Sequence, residues 1–144
     1  MSLLNLAAKM RDLQKQIPVR VALATNKVAE VILETAAEST PYDTTKALSN
    51  WQVSLGTRSF LEIEARVPGK AGSTRPLSLA MTKADGISEM QGRKVGVEIH
   101  IVNNASYIDD LNVTGAISQQ AGEFVQKAIL QGRLQVQKTI IRLD

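Results

Sequence analysis

A histidine, a serine and an aspartate lie near one another in the sequence and raise the question of a hydrolase triad. His100 is the only histidine of the chain, and Ser106 and Asp109 follow it. Such a triad needs a nucleophile on a sharp turn beside an oxyanion-binding backbone, and no motif of that kind surrounds Ser106. His100 instead shares the polar face of a predicted strand with Glu98. We therefore predict a surface or interface histidine, no catalytic residue and no enzyme.

Two short patterns are candidates for phosphate or metal binding. The segment Gly69–Thr74 contains a Gly-Lys pair, but Ala71 follows Lys70 where a phosphate loop needs Ser or Thr. Asp109 and Asp110 stand side by side without a third carboxylate or an imidazole at a useful spacing. The chain also lacks cysteine, which excludes thiolate ligands and suits a reducing cytoplasm. We therefore predict neither a metal site nor a cofactor.

Charge and hydrophobicity define the class of protein. The 17 basic and 14 acidic residues give a net charge of +3 and are dispersed along the chain. Because sequence-independent DNA binding needs clustered cations that release counterions, a tight nucleic-acid binder is not expected. The 144 residues, 44% of them hydrophobic, suit one globular domain spanning 1–144. No apolar run reaches the ~18 residues that span a bilayer, and no signal peptide is recognisable, so we predict a soluble protein without a membrane partner.

The N-terminal part, residues 1–38, is predicted to be helical. Apolar residues spaced by three and four form a narrow stripe on a first helix: Leu3, Leu6, Met10, Leu13 and Ile17. Pro18 lacks a backbone N–H and disfavours helical geometry in the preceding residue, which predicts a break or kink and a second helix over 19–38. The stripe packs either on its own domain or on a neighbouring subunit.

The middle of the chain alternates between apolar and polar residues in two places. This period of two predicts strands at Trp51–Leu55 and Leu61–Ala65, joined by a turn at 56–59. Proline and glycine then predict an exposed loop at 67–76 without periodic apolar residues.

The remaining elements complete an α+β pattern. A helix is predicted over 76–90 and ends at Gly92, and the clearest strand covers 95–101 and is terminated by Asn103–Asn104. A last helix is predicted from Phe124 onwards. This order predicts an α+β fold with two N-terminal helices and a small, mainly antiparallel sheet of three or four strands. A helix is inserted in the sheet, and the C-terminal helix packs on it.

Three blocks of sequence resemble, in the same order, the neck or tail-completion proteins of tailed bacteriophages, which lie between the portal ring and the tail. Residues 40–51, TPYDTTKALSNW, are similar to the family pattern TP-x-DTG-x-x-x-x-SW. Residues 102–115, VNNASYIDDLNVTG, are similar to NN-x-PYA-x-x-LE-x-G. Residues 118–128, SQQAGEFVQKA, are similar to S-x-QAP-x-GFVE-x-A. Each block alone is weakly specific, and their order makes the resemblance.

The first block departs from the pattern at one informative position. Thr45 stands where the family has glycine, and a β-branched residue resists positive φ, so a helical turn is predicted there. Thr40–Pro41 ends the preceding helix, and Asp43 is then expected to cap a short helical segment over 45–50. In the second block, Ser106 replaces a proline of the pattern.

The resemblance implies a structural virion protein. It would form a ring of six or twelve copies at the neck, dock to the portal or adaptor protein and carry the tail protein. DNA would pass through the lumen without sequence-specific binding. The protein would be assembled in the host cytoplasm and reside in the virion, and dispersed charge suits a conduit that must not hold DNA tightly.

The blocks mark eight residues as a structural joint between helix and sheet: Pro41, Asp43, Thr44, Trp51, Asn103, Asn104, Tyr107 and Phe124. We expect the indole of Trp51 to fasten the short helix to the sheet. Seven residues are candidates for an interface or for the lumen: Leu3, Leu6, Met10, Leu13, Arg66, Lys70 and Arg75. The three loop cations among them either face a neighbour or the lumen, or are simply solvated.

The alternative function belongs to a different class. A small cytosolic binding or regulatory protein would use the apolar stripe of its first helix to hold a helical partner.

Overall fold

The structure is a computed structural model that describes residues 2–114 and 122–139. In chain order these residues form helix α1, helix α2, strand β1, helix α3, strand β2, helix α4 and helix α5. Their bounds are Leu3–Ser39, Lys46–Ser49, Trp51–Leu55, Arg75–Gln91, Ile99–Asn103, Ile108–Thr114 and Phe124–Lys138. The two strands are antiparallel, with Trp51 opposite Asn103 and Leu55 opposite Ile99. The predicted α+β class and the helix inserted between strands agree with this order.

Helix α1 runs without interruption through Pro18, so the prediction of two N-terminal helices was wrong. The φ of proline is itself compatible with a helix, and its cost is the lost hydrogen bond to the carbonyl four residues earlier. That carbonyl belongs to Gln14, and Gln14 and Pro18 are both exposed, so water can solvate the unpaired group. At the start of α1, the Oγ of Ser2 caps the helix by accepting from the N–H of Asn5 at 3.2 Å.

Only the C-terminal half of α1 is buried in the domain. Its buried residues are Ala29, Leu33, Ala36 and Ala37. Four of the five stripe residues, Leu3, Leu6, Met10 and Ile17, are exposed, with 85% of Leu3 and 61% of Met10 accessible to solvent, and Leu13 is half-buried. Of the two alternatives for the stripe, packing of these four residues on their own domain does not occur, and about 27 Å of helix, from Leu3 to Arg20, projects from the body.

The segment Leu61–Ala65 is not a strand, and the described residues contain a sheet of two strands rather than three or four. Asn50 donates to the carbonyl of Ile63 at 2.7 Å and accepts from its N–H at 2.9 Å, and Gln52 donates to the carbonyl of Leu61 at 2.7 Å. Gln52 and Ser54 share the polar face of β1, and they bond to the carbonyl of Leu61 and the N–H of Ser59, so the chain from Ser59 onwards lies over that face. Its backbone is satisfied by side chains instead of by a ladder.

Strand β2 begins four residues later than the alternation predicted, at Ile99 rather than Val95. Gly96 has φ +84°, and the N–H of Val97 donates to the carbonyl of Lys94 at 3.2 Å, so the intervening residues form a turn. Asn103 ends the strand as predicted.

Helix α5 packs along α1 instead of across the sheet. Gly132 allows the close approach, because an added Cβ would meet Cγ1 of Ile32 at 2.6 Å. Only the first turn of α5 reaches the sheet, where Phe124 meets Trp51. The core formed in this way consists of Leu33, Ala36, Ala37, Trp51, Phe124 and Ala128. Within the described residues no helix is both long and apolar enough to cross a membrane.

Candidate functional site

Trp51 joins the end of α1 to the start of β1. It is 6% exposed, and its indole Nε1 donates to Oγ1 of Thr40 at 2.7 Å. The same hydroxyl donates to the carbonyl of Ala36 at 2.6 Å, in the last turn of α1. The Trp51 ring also meets Phe124 edge to face, with centroids 6.2 Å apart. One tryptophan therefore connects α1, β1 and α5, and its hydrogen bond and ring contact go to α1 and α5 rather than to the short helix α2, which it was expected to fasten.

Thr45 adopts the left-handed conformation, with φ 66° and ψ 6°, so the prediction of a helical turn there was wrong. This conformation costs an L-residue about 1–2 kcal/mol. Hydrogen bonds compensate: the Thr45 hydroxyl donates to the carbonyl of Val67 at 3.1 Å and accepts from the hydroxyl of Ser78 at 3.0 Å. The residue is 1% exposed. The position where the resembled pattern has glycine thus keeps the backbone geometry of a glycine.

Asp43 holds the loop that precedes α3 and does not cap α2. Its carboxylate accepts from the N–H of Ala71 at 2.8 Å, and its backbone carbonyl accepts from the N–H of Gly72 at 3.0 Å. Helix α2 has Thr45 at its N-cap position without a side-chain hydrogen bond, so the expected Asp43 cap is absent there. The reason is that the N–H of Ala71 occupies the Asp43 carboxylate.

The second block contributes the asparagines that pack beside α2. Asn103 donates to the carbonyl of Ala47 at 2.7 Å and accepts from the N–H of Ala105 at 3.1 Å. Asn104 donates to the carbonyls of Ser59 and Leu61, both at 3.1 Å. The two side chains therefore fix the end of β2 to α2 on one side and to the segment over β1 on the other.

The second and third blocks also meet. Asn112 accepts from the N–H of Val125 at 3.0 Å and donates to the side chain of Gln126 at 3.1 Å. These contacts satisfy a backbone donor in the first turn of α5, where N–H groups lack helical partners. The structure thus brings residues from all three blocks around α2 and the first turn of α5.

A cleft of about 240 Å³ opens beside this joint and is lined by residues 41–47 together with Tyr107 and Leu111. Pro41 on its wall is buried, whereas Asp43 and Thr44 are exposed. Burial raises the pKa of the Tyr107 phenol. The phenol therefore stays neutral at physiological pH, so the cleft offers hydroxyl, carbonyl and apolar groups without a strong nucleophile.

His100, Asp109 and Asp110, which the sequence raised as candidates for catalysis or metal binding, have the following surroundings. His100 Nε2 lies 3.3 Å from the carboxylate of Glu98 and 3.3 Å from the carbonyl of Gly56. Asp109 and Asp110 form the exposed first turn of α4. Among residues 2–114 and 122–139, no group of three His, Cys, Asp or Glu side chains is placed to hold a metal ion.

The loop cations have different surroundings. Arg66 pairs with Asp85, and its side chain is 16% exposed. Arg75 lies over the ring of Tyr42, 4.6 Å from the centroid, and donates to the carbonyl of Glu38 at 2.9 Å. Lys70 is exposed. Arg66 and Arg75 thus help to bind loop 67–74 to the body, and Lys70 is the cation of the three that the structure leaves facing solvent.

The sequence did not identify the buried polar residues that hold the joint together. Those fully or almost fully buried are Thr40, Thr45, Ser49, Asn50, Ser78 and Thr82. The signal available was the run of small polar residues in the first block, which is dense for a segment adjoining the core. These polar residues are buried because loop 67–74 folds back onto them, and no local sequence pattern predicts that contact.

The Thr45 hydroxyl offers a test of this network. Thr45→Val keeps the side-chain shape but removes the donor to Val67 and the acceptor for Ser78. We expect the free energy of unfolding to fall by about 1–3 kcal/mol, measured by urea denaturation. Thr45→Ser keeps the hydroxyl and is the matched control, with a smaller loss. Equal stability of the valine variant and the wild type would show that the network contributes nothing.

Comparison with known proteins adds no assignment to this geometry, because no protein-family model, curated protein or solved structure matches the chain.

Proposed function

We propose that this chain is a ring-forming structural subunit of a phage neck, which joins the portal or adaptor protein to the tail and lets DNA pass through its lumen. The observation that carries the proposal is the left-handed backbone at Thr45. The resembled family pattern has glycine at this position, and glycine is the residue that adopts this conformation without strain. The left-handed backbone would account for a glycine at this position of the pattern, so the change to threonine does not count against the resemblance.

The convergence of the three blocks supports the same proposal. Their residues are far apart in sequence, yet Trp51 contacts Phe124, and Asn103 bonds to Ala47. This cluster fixes helices to a sheet. Such a site is suited to holding a shape, which is what a ring subunit requires.

The exposed surface supports an assembling protein. Leu3, Leu6 and Met10 are 85%, 44% and 61% exposed on the projecting half of α1. Contiguous apolar surface of this kind marks interaction sites in soluble proteins. The dispersed charges, with a net value of +3, suit a lumen that lets DNA slide.

The mass of the native particle tests the proposal. Native mass spectrometry of the full chain is expected to show six or twelve copies, either alone or after addition of portal rings. The portal arm is needed because a subunit that is monomeric in solution can still assemble on its docking partner. A monomer at high concentration that also fails to bind portal rings would rule out the neck-protein proposal.

The small binding or regulatory protein remains the second candidate, because the exposed stripe would equally serve a helical partner. It predicts a stable monomer that binds a different protein. Deleting residues 2–16 should then abolish partner binding while the body stays folded. An unaffected ring after this deletion would count against the second candidate.

A further inference from the structure

The projecting half of α1 combines apolar and basic surface. Its exposed stripe begins with Leu3, Leu6 and Met10. The charged residues between Leu3 and Arg20 are four cations and one carboxylate: Lys9, Arg11, Asp12, Lys15 and Arg20. We call Leu3–Arg20 the donor helix. A surface that covers it well must be apolar and carry acidic groups around the apolar centre.

One face of the body has this complementary character. Phe60 and Leu61 are 78% and 66% exposed, and Tyr107 is 40% exposed. The exposed carboxylates of the same two segments, 60–64 and 107–110, are Glu62, Glu64, Asp109 and Asp110. We call these seven residues the acceptor face.

The two segments of the acceptor face are tied together. Asn104 donates to the carbonyls of Ser59 and Leu61, and the N–H of Ser106 donates to the carboxylate of Glu62 at 3.5 Å. Lys46 bridges Glu62 and Glu64 at 3.2 Å, which offsets part of their charge. Lys46 does not pair with Asp109 or Asp110, which are exposed, and the Glu64 side chain is 88% exposed in spite of its ion pair. Arg58 also stands on this face, with its guanidinium 5.2 Å from the centroid of the Phe60 ring, so Lys46 and Arg58 lie among the four carboxylates and the face keeps an excess of acidic groups.

The donor helix cannot reach the acceptor face of its own chain. The body holds α1 from Ala22, whose carbonyl accepts from Arg93 at 3.0 Å, to Thr40, which bonds to Trp51. This part of the helix is about 27 Å long. The acceptor face lies beyond the C-terminal end of α1, because Glu62 and Glu64 pair with Lys46 at the start of α2, the next helix in the chain. Two donor helices would not pair well with each other either, since each brings cations toward the other.

We propose that the donor helix of one copy docks on the acceptor face of the next copy. The contact is heterologous, because each copy binds one neighbour through its donor helix and the other neighbour through its acceptor face. Such contacts propagate from copy to copy and close into a ring when the rotation between copies allows it. The inference rests on the proposed ring function and specifies the contact that builds the ring.

Charge exchange tests the contact. Lys9→Glu with Lys15→Glu reverses the donor helix, and Glu64→Lys with Asp110→Lys reverses the acceptor face. Each reversed pair is expected to weaken self-association of the full chain at least ~10-fold, since like charges then face each other. All four changes in one chain restore opposite charges and should bring association back to within about threefold of the wild type. Association is measured by native mass spectrometry and sedimentation at low and high salt.

Matched controls exclude a general effect of charge or misfolding. Lys94→Glu with Lys127→Glu lowers the net charge by the same amount as the donor-helix pair, at exposed positions outside both surfaces, and should leave association unchanged. Circular dichroism checks that every variant is folded, and the neutral pair Glu64→Gln with Asp110→Asn replaces the lysine pair if that variant does not fold.

The outcomes separate this contact from the ring itself. The proposed contact is wrong if the ring still forms in both charge-reversed pairs, or if the variant with all four substitutions stays dissociated. Either result leaves the proposed neck function unaffected. A wild type that neither self-associates nor binds portal rings contradicts the contact and the function together.

Discussion

Trp51→Ala is expected to lower the free energy of unfolding by about 3–5 kcal/mol, the range for truncating a large buried aromatic residue. Trp51 is 6% exposed and packs with Leu33, Ala37 and Phe124 in the core. Truncation would leave a cavity where α1, β1 and α5 meet. It would also deprive the buried Thr40 hydroxyl of the donor that it now has at 2.7 Å.

Urea denaturation of the isolated chain measures this loss. Trp51→Phe is the matched control, because it keeps an aromatic ring and removes mainly the hydrogen bond to Thr40, at a cost of about 1–2 kcal/mol. The ranking of wild type, phenylalanine variant and alanine variant separates packing from hydrogen bonding. An alanine variant that stays fully folded but no longer forms rings would instead place Trp51 at the subunit interface.

Elements set by local pattern could be predicted from the sequence. The strand Trp51–Leu55 has the predicted bounds, because its alternation places Trp51 and Val53 toward the core and Gln52 outward. Helix α3 starts within one residue of its prediction and ends at Gly92 as expected. In these cases the residues that determine the element lie inside it.

Elements set by distant contacts could not be predicted. Leu61–Ala65 alternates like a strand, but the polar side chains of Asn50 and Gln52 take up its backbone groups. Thr45 is left-handed because Val67 and Ser78 lie where its hydroxyl can bond to them. Each outcome depends on a segment that reaches the site only after folding.

The candidate site was predictable in part for the same reason. The blocks named Trp51, Asn103 and Phe124, and the structure brings these residues together near α2. The buried hydroxyl network and the docking of the loop on Asp43 were not visible in the blocks. Residues named by the blocks thus meet in the fold, whereas the hydrogen bonds that hold them depend on loop 67–74, which no block contains.

The contact between α1 and α3 gives the second large effect. Glycine disfavours a helix interior, yet Gly86 in α3 is what lets this helix approach α1. A Cβ at Gly86 would overlap the buried Leu33 side chain and would lie 3.0 Å from Cγ2 of Val53. Leu33 is 1% exposed, so its side chain is enclosed in the core. The conformational cost of glycine in a helix, about 1 kcal/mol, is therefore offset by close packing.

Leu33→Ala is expected to cost about 3–5 kcal/mol through the cavity it leaves, and Gly86→Ala about 1–3 kcal/mol through overpacking. The double variant should lose less than the sum, because the new Gly86→Ala methyl occupies space that Leu33→Ala vacates, and couplings of about 0.5–3 kcal/mol are typical of such contacts. Gly92→Ala is the control, since nothing lies within 4 Å of an added Cβ there. If the losses in free energy of unfolding simply add in the double variant, contact with Leu33 is not the reason why position 86 requires glycine.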